Sequence, residues 1–580
     1  MRKRCFTDGS KTIPALSSQF SNRSHWTVGI LLVILSLAAV LRLVKLDAIP
    51  PGLHVDEAAN AWNAYTLLAT GKDQHGVAWP IFYTRAFGEN RSPFYLYVLL
   101  PFQAVGGLNV WTTRLPAAIG GITTVLLIYW LGLRLFDSWT GLVAAGLLAI
   151  NPWHLQTSRY GFDAALVPLL IPLSLLALAW ANFPIGDGPD RRPRFVMAMV
   201  AGAIIGISCY SYWALRLFLP LFLIGLVITL WRRWWRLLKT REGVTAMCAL
   251  VVAGALIAGP LLWKHLTDPE IAKRGQIASW VWNGSDALSE KIGKATSRYP
   301  GHFGLDFLFL NGDRDPALAP PPSTGLFHWY ALPLMVLGLL ACLSHFRTSD
   351  SAKILLLWVA LYPAGDLLSA HVSLHSLRSL PGLCALVLLA AVGATSAGRW
   401  LWQQQRRAAP AIFCAAAFLV LVLGGLYLRR FFVDYPRQKY AVPAYAADIL
   451  AAAQWLRPRL HDFDAVFVTG FAAHPYMITL VGLRYDPQQW FLDNRQIVPG
   501  PLPDGTYKFE DVYLSYGKMH FMFGDSSVAA LEKLLHNGKP DRVAFIVRPG
   551  ELGLHRHARP VHEIRNPEGR ARLWIFDLTL

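Results

Sequence analysis

Residues 53–68 read LHVDEAANAWNAYTLL, and this stretch decides how the rest of the chain is understood. Ala58, Ala61, Trp62, Tyr65 and Leu68 recur at helical spacing, with Asn60, Asn63 and Thr66 between them, which predicts a short amphipathic helix. Two adjacent carboxylates, Asp56 and Glu57, stand at its start. An Asp in that position ordinarily does no more than cap the helix by accepting backbone N–H bonds. The pair gains interest from its place, directly after a first hydrophobic span and at the outer mouth of what reads as a multi-span membrane protein.

Composition supports that placement. Of 580 residues 54% are hydrophobic and only 16% charged, against roughly a quarter charged in soluble proteins. The net charge of +18 does not imply nucleic acid, because the basic residues cluster in short loops between apolar runs, the positive-inside pattern of membrane proteins. The polar lead of residues 1–26 is longer than that of a signal peptide and precedes no small-residue cleavage site, so an uncleaved anchor is expected. None of the six cysteines, Cys5, Cys209, Cys248, Cys342, Cys384 and Cys414, falls in the long outer segments, and no CxxC metal pattern occurs.

Apolar runs predict about eleven membrane spans, at 27–46, 111–135, 139–153, 164–183, 195–213, 215–231, 244–263, 327–344, 353–370, 379–397 and 410–428. The run 93–108 is short and broken by Pro101 and a Gly pair, and is expected to be interfacial or re-entrant. Counting it as a crossing would carry Arg134, Arg191, Arg192, Arg194, the WRRWWRLLKTRE loop at 231–242, Arg399 and Arg407 to the outside. The resulting arrangement is a cytoplasmic tail (1–26), a membrane domain (27–428) and an extracytoplasmic domain (429–580). Outer loops at 47–110 and 264–326 join the last domain on one face. In that domain DAVFVTGF, DRVAFIVRPG and ARLWIFDLTL read as strands and residues 444–456 as a helix, giving a small mixed α/β unit.

Polar residues converge on this outer face. Asp56 and Asp163 are candidate bases, Asp163 also suiting a helix start. Arg91, Arg114, Arg159, Arg216 and Arg378 lie outside against the inside bias and want anionic partners, either lipid headgroups or a phosphate-bearing substrate. Arg159, four residues before Asp163, could instead pair with it. Tyr212 belongs to an aromatic belt, Trp62 could stack on a sugar, and His371 and His375 flank Arg378. His54, His75, His154, His371 and His375 leave a divalent metal open, although no HExxH spacing supports one. No Walker loop, GxGxxG or nucleophile elbow is present.

Six segments in this order, HVDEAANAWNAYTLLATGKDQHG, FGENRSPFYLY, TTRLPAAIGG, NPWHLQTSRYGFDAA, YSYWALRLFLP and HSLRSLPG, resemble bacterial members of glycosyltransferase family 39. That family includes the dolichyl-phosphate-mannose protein mannosyltransferases and, more distantly, lipid A aminoarabinose transferases. The resemblance spans about residues 27–400. It implies a mainly α GT-C membrane fold and transfer of a sugar from a polyprenyl-phosphate donor to a protein, lipid or glycan acceptor at the outer face of the cytoplasmic membrane. It further implies Asp56 as base with Glu57 beside it, Asp163 as a second acidic position, and Arg91, Arg114, Arg216 and Arg378 toward the lipid phosphate. Arg91 stands in RSP where relatives carry KPP. Trp62, Arg159, Tyr212 and His371 are expected at the substrate.

The chemistry fits independently: such transfer needs one base for the acceptor hydroxyl and cations for the departing phosphate. A phosphate leaves without a general acid, unlike the two-carboxylate scheme of glycosidases. The alternative is a transporter or flippase, which would place ionisable groups near the midplane of its spans. Here the carboxylates sit at outer ends instead.

Overall fold

The computed structural model describes residues 25–269, 287–315, 318, 324–369, 374–438, 441–472, 474–499, 511–523 and 540–579. The chain begins with helix α1 (His25–Leu43), whose apolar side chains are largely exposed, as those of a lipid-facing span are. Helix α2 (Val55–Thr70) follows, then a hairpin of β1 (Thr84–Ala86) and β2 (Glu89–Arg91), helix α3 (Phe94–Gly106) and the long helix α4 (Val110–Leu135).

Among the described residues six helices are long and apolar enough to cross a bilayer. Trp213–Thr229 and Trp231–Leu238, bent by 82°, would together make a seventh. Every predicted span coincides with a helix, but the count of eleven is not reached by length. Ser138–Ala149, Phe195–Ser208, Ala331–Ser344 and Asp350–Leu361 run for only 12 to 14 residues. The sequence shows why two of them stop early: Asn151 and Pro152 open a new helix after the first, and Pro363 caps another after the last. The apolar run 93–108 forms α3, whose 13 residues give a rise of about 20 Å, short of the ~30 Å hydrocarbon core.

Close packing unites the helical part. Gly202 lies so near the neighbouring helix Arg241–Thr267 that a Cβ there would come within 2.1 Å of the Leu250 carbonyl oxygen. On the side that carries the basic loops, Arg233 gathers three segments, donating to Asp190, to Asp350 at 3.1 Å and to the Gly186 and Gly188 carbonyls.

The carboxyl-terminal part is a seven-stranded mixed sheet in the order β4–β5–β6–β3–β7–β9–β8. It comprises β3 (Ala465–Thr469), β4 (Gln496–Pro499), β5 (Asp511–Tyr516), β6 (Met519–Met522), β7 (Arg542–Val547), β8 (His562–Arg565) and β9 (Ala571–Thr579). The central strand β3 runs parallel to β6 and β7, and the outer pairings are antiparallel. The three predicted strands fall on β3, β7 and β9, and the predicted helix on Ala447–Leu456.

This sheet unit sits directly on α2. Trp62 of α2 meets Trp490 edge-to-face at 5.9 Å, and the Trp490 indole N–H donates to the Gln74 carbonyl at 2.9 Å. Leu53 N–H donates to the Tyr445 carbonyl at 2.8 Å, while Tyr160, Tyr435 and Tyr445 link hydroxyls in the buried seam. Gly52 is essential to the approach, with φ +74° and a hypothetical Cβ only 2.4 Å from the Tyr445 carbonyl oxygen. Gly52→Ala is therefore expected to cost about 1–3 kcal/mol or more, read as a lower midpoint of thermal unfolding in detergent. An unchanged midpoint would show that the seam yields freely.

Candidate functional site

The site is built on the start of α2. His54, not Asp56, caps this helix: its Nδ1 accepts from Asp56 N–H at 3.3 Å, and its own N–H donates to Glu57 Oε2 at 3.0 Å in a reciprocal capping box. The capping role expected of Asp56 thus falls to its neighbour. The carboxylate of Asp56, 25% exposed, is left to meet Arg91, whose Nη2 lies 2.7 Å from Oδ1.

One residue further the helix turns by about 100° and Glu57 points inward. It is fully buried and accepts from Arg114 Nε at 2.8 Å, Arg114 Nη2 at 2.9 Å and the Gly161 N–H at 2.8 Å. Arg114 spends its remaining donors on the carbonyls of Leu46, Pro50 and Gly52, at 2.7–3.1 Å. All five of its N–H groups are used inside the protein. The expectation that Arg114 meets a lipid phosphate is corrected: it locks the loop before α2 onto α4. Glu57, expected among the reacting groups, is its partner in that lock.

Arg159 is corrected in the same way. It makes no pair with Asp163 and instead gives all five donors to the carbonyls of Leu41, Arg42, Val44, Lys45 and Ile49, closing the end of α1. Arg42, which sequence reasoning overlooked inside a span, does likewise for Ser138–Ala149 through the Leu148 and Ala149 carbonyls, and also donates to His154 Nδ1. Trp62 is fully buried against Trp490 and so is part of the core rather than a platform for a sugar. His371 lies outside the described residues.

Asp163 does join Asp56. Asn60, one turn beyond Asp56 on α2, donates to Asp163 Oδ1 and to the Gly161 carbonyl, each at 3.3 Å. Burial works to lower the Arg91 pKa, but the negative charges of Asp56 and Asp163 outweigh it and hold the guanidinium firmly protonated. The Arg91 guanidinium also lies 5.7 Å from the Phe87 ring centroid, and His474 of the sheet unit stacks on that ring at 4.2 Å. Phe87 and His474 both hold left-handed backbone conformations, with φ +58° and +44°. Non-glycine residues keep such conformations only where their surroundings over-determine them.

The turn after Phe195–Ser208 couples this cluster to a membrane-facing groove. On one side Ser92 donates to the Tyr210 carbonyl and Ser211 to the Asp163 carbonyl, the latter at 3.4 Å. On the other side Cys209 and Tyr212 line a cavity of about 770 Å³ between helices Phe195–Ser208, Trp213–Thr229 and Arg241–Thr267. Its walls are apolar and its polar end carries Arg216, His265, Ser369 and Arg378. Arg216 donates to the Cys209 carbonyl at 2.8 Å and to His265, and stacks on Trp213 at 4.4 Å. His265 Nδ1–H donates to the Leu261 carbonyl, so Nε2 is the acceptor toward Arg216, 3.0 Å away. Arg378 donates to Ser369 Oγ.

The structure thus brings Asp56, Arg91 and Asp163 together, and sets Arg216, Arg378 and Tyr212 around the groove. Among the described residues no three His, Cys, Asp or Glu side chains converge as a metal site. Asn60 and Ser92 were missed, although Asn60 stands four residues after Asp56 and hence on its helical face. Arg114→Gln leaves Glu57 as a buried, half-partnered charge and is expected to cost about 3–5 kcal/mol. It should reduce the yield of folded protein, while Arg378→Gln should leave thermal unfolding unchanged. Equal stability of the two variants would contradict the structural assignment of Arg114.

Comparison with known proteins bears on the fold. Residues 32–267 match the family described as dolichyl-phosphate-mannose-protein mannosyltransferase. The undecaprenyl phosphate-alpha-4-amino-4-deoxy-L-arabinose arabinosyl transferase of Pseudomonas aeruginosa (strain UCBPP-PA14) is 31% identical over 151 residues. That match covers 26% of this chain and spans 27% of the relative's length. The crystal structure of ArnT from Cupriavidus metallidurans bound to undecaprenyl phosphate superposes with a TM-score of 0.52 at 15% identity, covering 95% of this chain and 98% of that one. The archaeal oligosaccharyltransferase AglB from Archaeoglobus fulgidus, in complex with an inhibitory peptide and a dolichol-phosphate, gives 0.50 at 14% identity, covering 96% and 74%. These likenesses give the fold: the chain is a polytopic membrane protein with the GT-C fold, and its residues 32–267 carry the mannosyltransferase-family match.

Proposed function

We propose that this protein transfers a sugar from a polyprenyl-phosphate donor to an acceptor hydroxyl at the outer face of the cytoplasmic membrane. The observation that carries this reading is the link from the partly exposed Asp56 and its partner Arg91, through the bonds of Ser92 to Tyr210 and of Ser211 to Asp163, to the turn beside an apolar groove lined by Arg216 and Arg378. A polyprenyl tail suits the groove walls, and its phosphate suits the two guanidinium groups. That the Cupriavidus metallidurans protein was crystallised with undecaprenyl phosphate supports the same class of lipid here.

In the proposed reaction Asp56 accepts the proton of the acceptor hydroxyl while that oxygen attacks the anomeric carbon. The bond from carbon to phosphate oxygen breaks with its electron pair, and the polyprenyl phosphate departs with its new charge facing Arg216 and Arg378. A single in-line displacement inverts the anomeric configuration. Arg91 orients the Asp56 carboxylate through their 2.7 Å ion pair. Asp163, held by Asn60, helps fix Arg91. The acceptor is a protein, lipid or glycan hydroxyl reaching the partly exposed carboxylate of Asp56.

Asp56→Asn is expected to lower transfer of radiolabelled sugar by at least about a hundredfold, measured with purified protein in lipid, with thermal unfolding unchanged. Retained turnover would remove Asp56 from the mechanism. Arg378→Gln should raise the KM for the donor about tenfold or more, the effect of losing a charge-assisted hydrogen bond. For orientation, in a cysteine-free background a Cys at Arg192 should resist an impermeant thiol reagent in whole cells and a Cys at Arg559 should react. The reverse pattern would invert the proposed topology.

A further inference from the structure

A second cavity, of about 190 Å³, lies where the last membrane helix meets the sheet unit, remote in sequence from every residue of the site above. Arg437 and Gln438, just past that helix, form one wall, and on the other the turn between β8 and β9 supplies Glu568 and Arg570 while β9 supplies Arg572. Its height relative to the membrane follows from length. The apolar α-helix Ala409–Arg429 has 21 residues, and at 1.5 Å each these rise about 31 Å. That crosses the ~30 Å hydrocarbon core, and the turns Arg430–Asp434 and Tyr435–Arg437 carry the chain on into the headgroup layer. Only 11% of the apolar window of this stretch is buried inside the protein, so its flank faces lipid, and on the topology proposed above Arg437 stands at the outer headgroup layer.

The lining has a definite chemistry. Arg572 is engaged by Asp448 at 3.3 Å and Arg570 by Glu568 at 3.9 Å, which leaves the cavity one guanidinium in excess, from Arg437. Beside it the Gln438 side-chain carbonyl oxygen is buried and has no hydrogen-bond donor among the described residues. An arginine cluster asks for a phosphate oxygen, whereas an orphaned carbonyl asks for a hydroxyl or ammonium hydrogen. A phosphodiester bearing such a group satisfies both and fits the volume.

We propose that this cavity binds the headgroup of an outer-leaflet phospholipid, its phosphate held by Arg437, Arg570 and Arg572 and its terminal hydroxyl or ammonium by Gln438 and Glu568. Occupancy clamps the sheet unit to the membrane edge and is independent of sugar transfer. The test is native mass spectrometry of the full chain released from mixed lipid, scoring retained phosphatidylglycerol against phosphatidylcholine. Phosphatidylglycerol should be retained selectively, and Arg437→Gln and Arg570→Gln, both at exposed side chains, should each lower retention about fivefold. Gln438→Leu should shift preference from phosphatidylglycerol to phosphatidic acid, which has no terminal hydroxyl. Equal retention of phosphatidylcholine, or of phosphatidylglycerol by the arginine variants, would overturn the proposal. Displacement of the lipid by millimolar glycerol phosphate would assign the cavity to a soluble phosphate instead and overturn it equally.

Discussion

The bidentate pair between Arg114 and Glu57 is the constraint on which the outer face depends. Both ions are withdrawn from water, at a cost of several kcal/mol each, and that cost is met only if every donor and acceptor finds a partner. Glu57 accepts from Arg114, from the backbone of His54 and from Gly161, while Arg114 reaches three carbonyls of the 46–52 loop. One side-chain pair therefore fixes the beginning of α2 against α4, against the end of the first span and against the segment leading to Asp163. Satisfying the pair determines the rotation of α2 about its axis.

That rotation divides labour between two adjacent carboxylates. With Glu57 inward, Asp56 must look out beside Arg91, and Asn60 on the same face reaches Asp163. The arginines divide similarly. Arg42, Arg114 and Arg159 are consumed by carbonyls left open at helix ends and loops, where water cannot reach. Arg216 and Arg378 border a cavity and keep a face toward whatever fills it. These arginines are thus of two kinds, structural where buried among carbonyls and groove-lining where they border the cavity.

The sheet unit takes part in this arrangement. Through Trp490 it covers Trp62 on α2, and through His474 it stacks on Phe87, whose ring lies beside Arg91. The left-handed backbone of both Phe87 and His474 persists because the two elements meet there. Positioning of the Asp56–Arg91 pair therefore depends on residues more than 380 positions later in the chain, as the numbering of His474 against Arg91 shows.

The sequence by itself determined the membrane class, the helical start at α2 with its two carboxylates, and the strands β3, β7 and β9. These follow from local composition and periodicity, since apolar length and alternation depend on neighbours only a few residues away. It overstated the number of full-length spans, because apolarity does not report where a Pro or a polar turn ends a helix. The hairpin β5–β6 also escaped it, since DVYLSYGKMHFM carries no clean alternation. Only the tertiary structure decided which arginines line the groove and which are buried among carbonyls, that His54 rather than Asp56 caps α2, and that Trp62 is core. An arginine reads alike whether its guanidinium meets a distant carbonyl, a carboxylate or an open groove, and that choice is made by packing between segments remote in sequence.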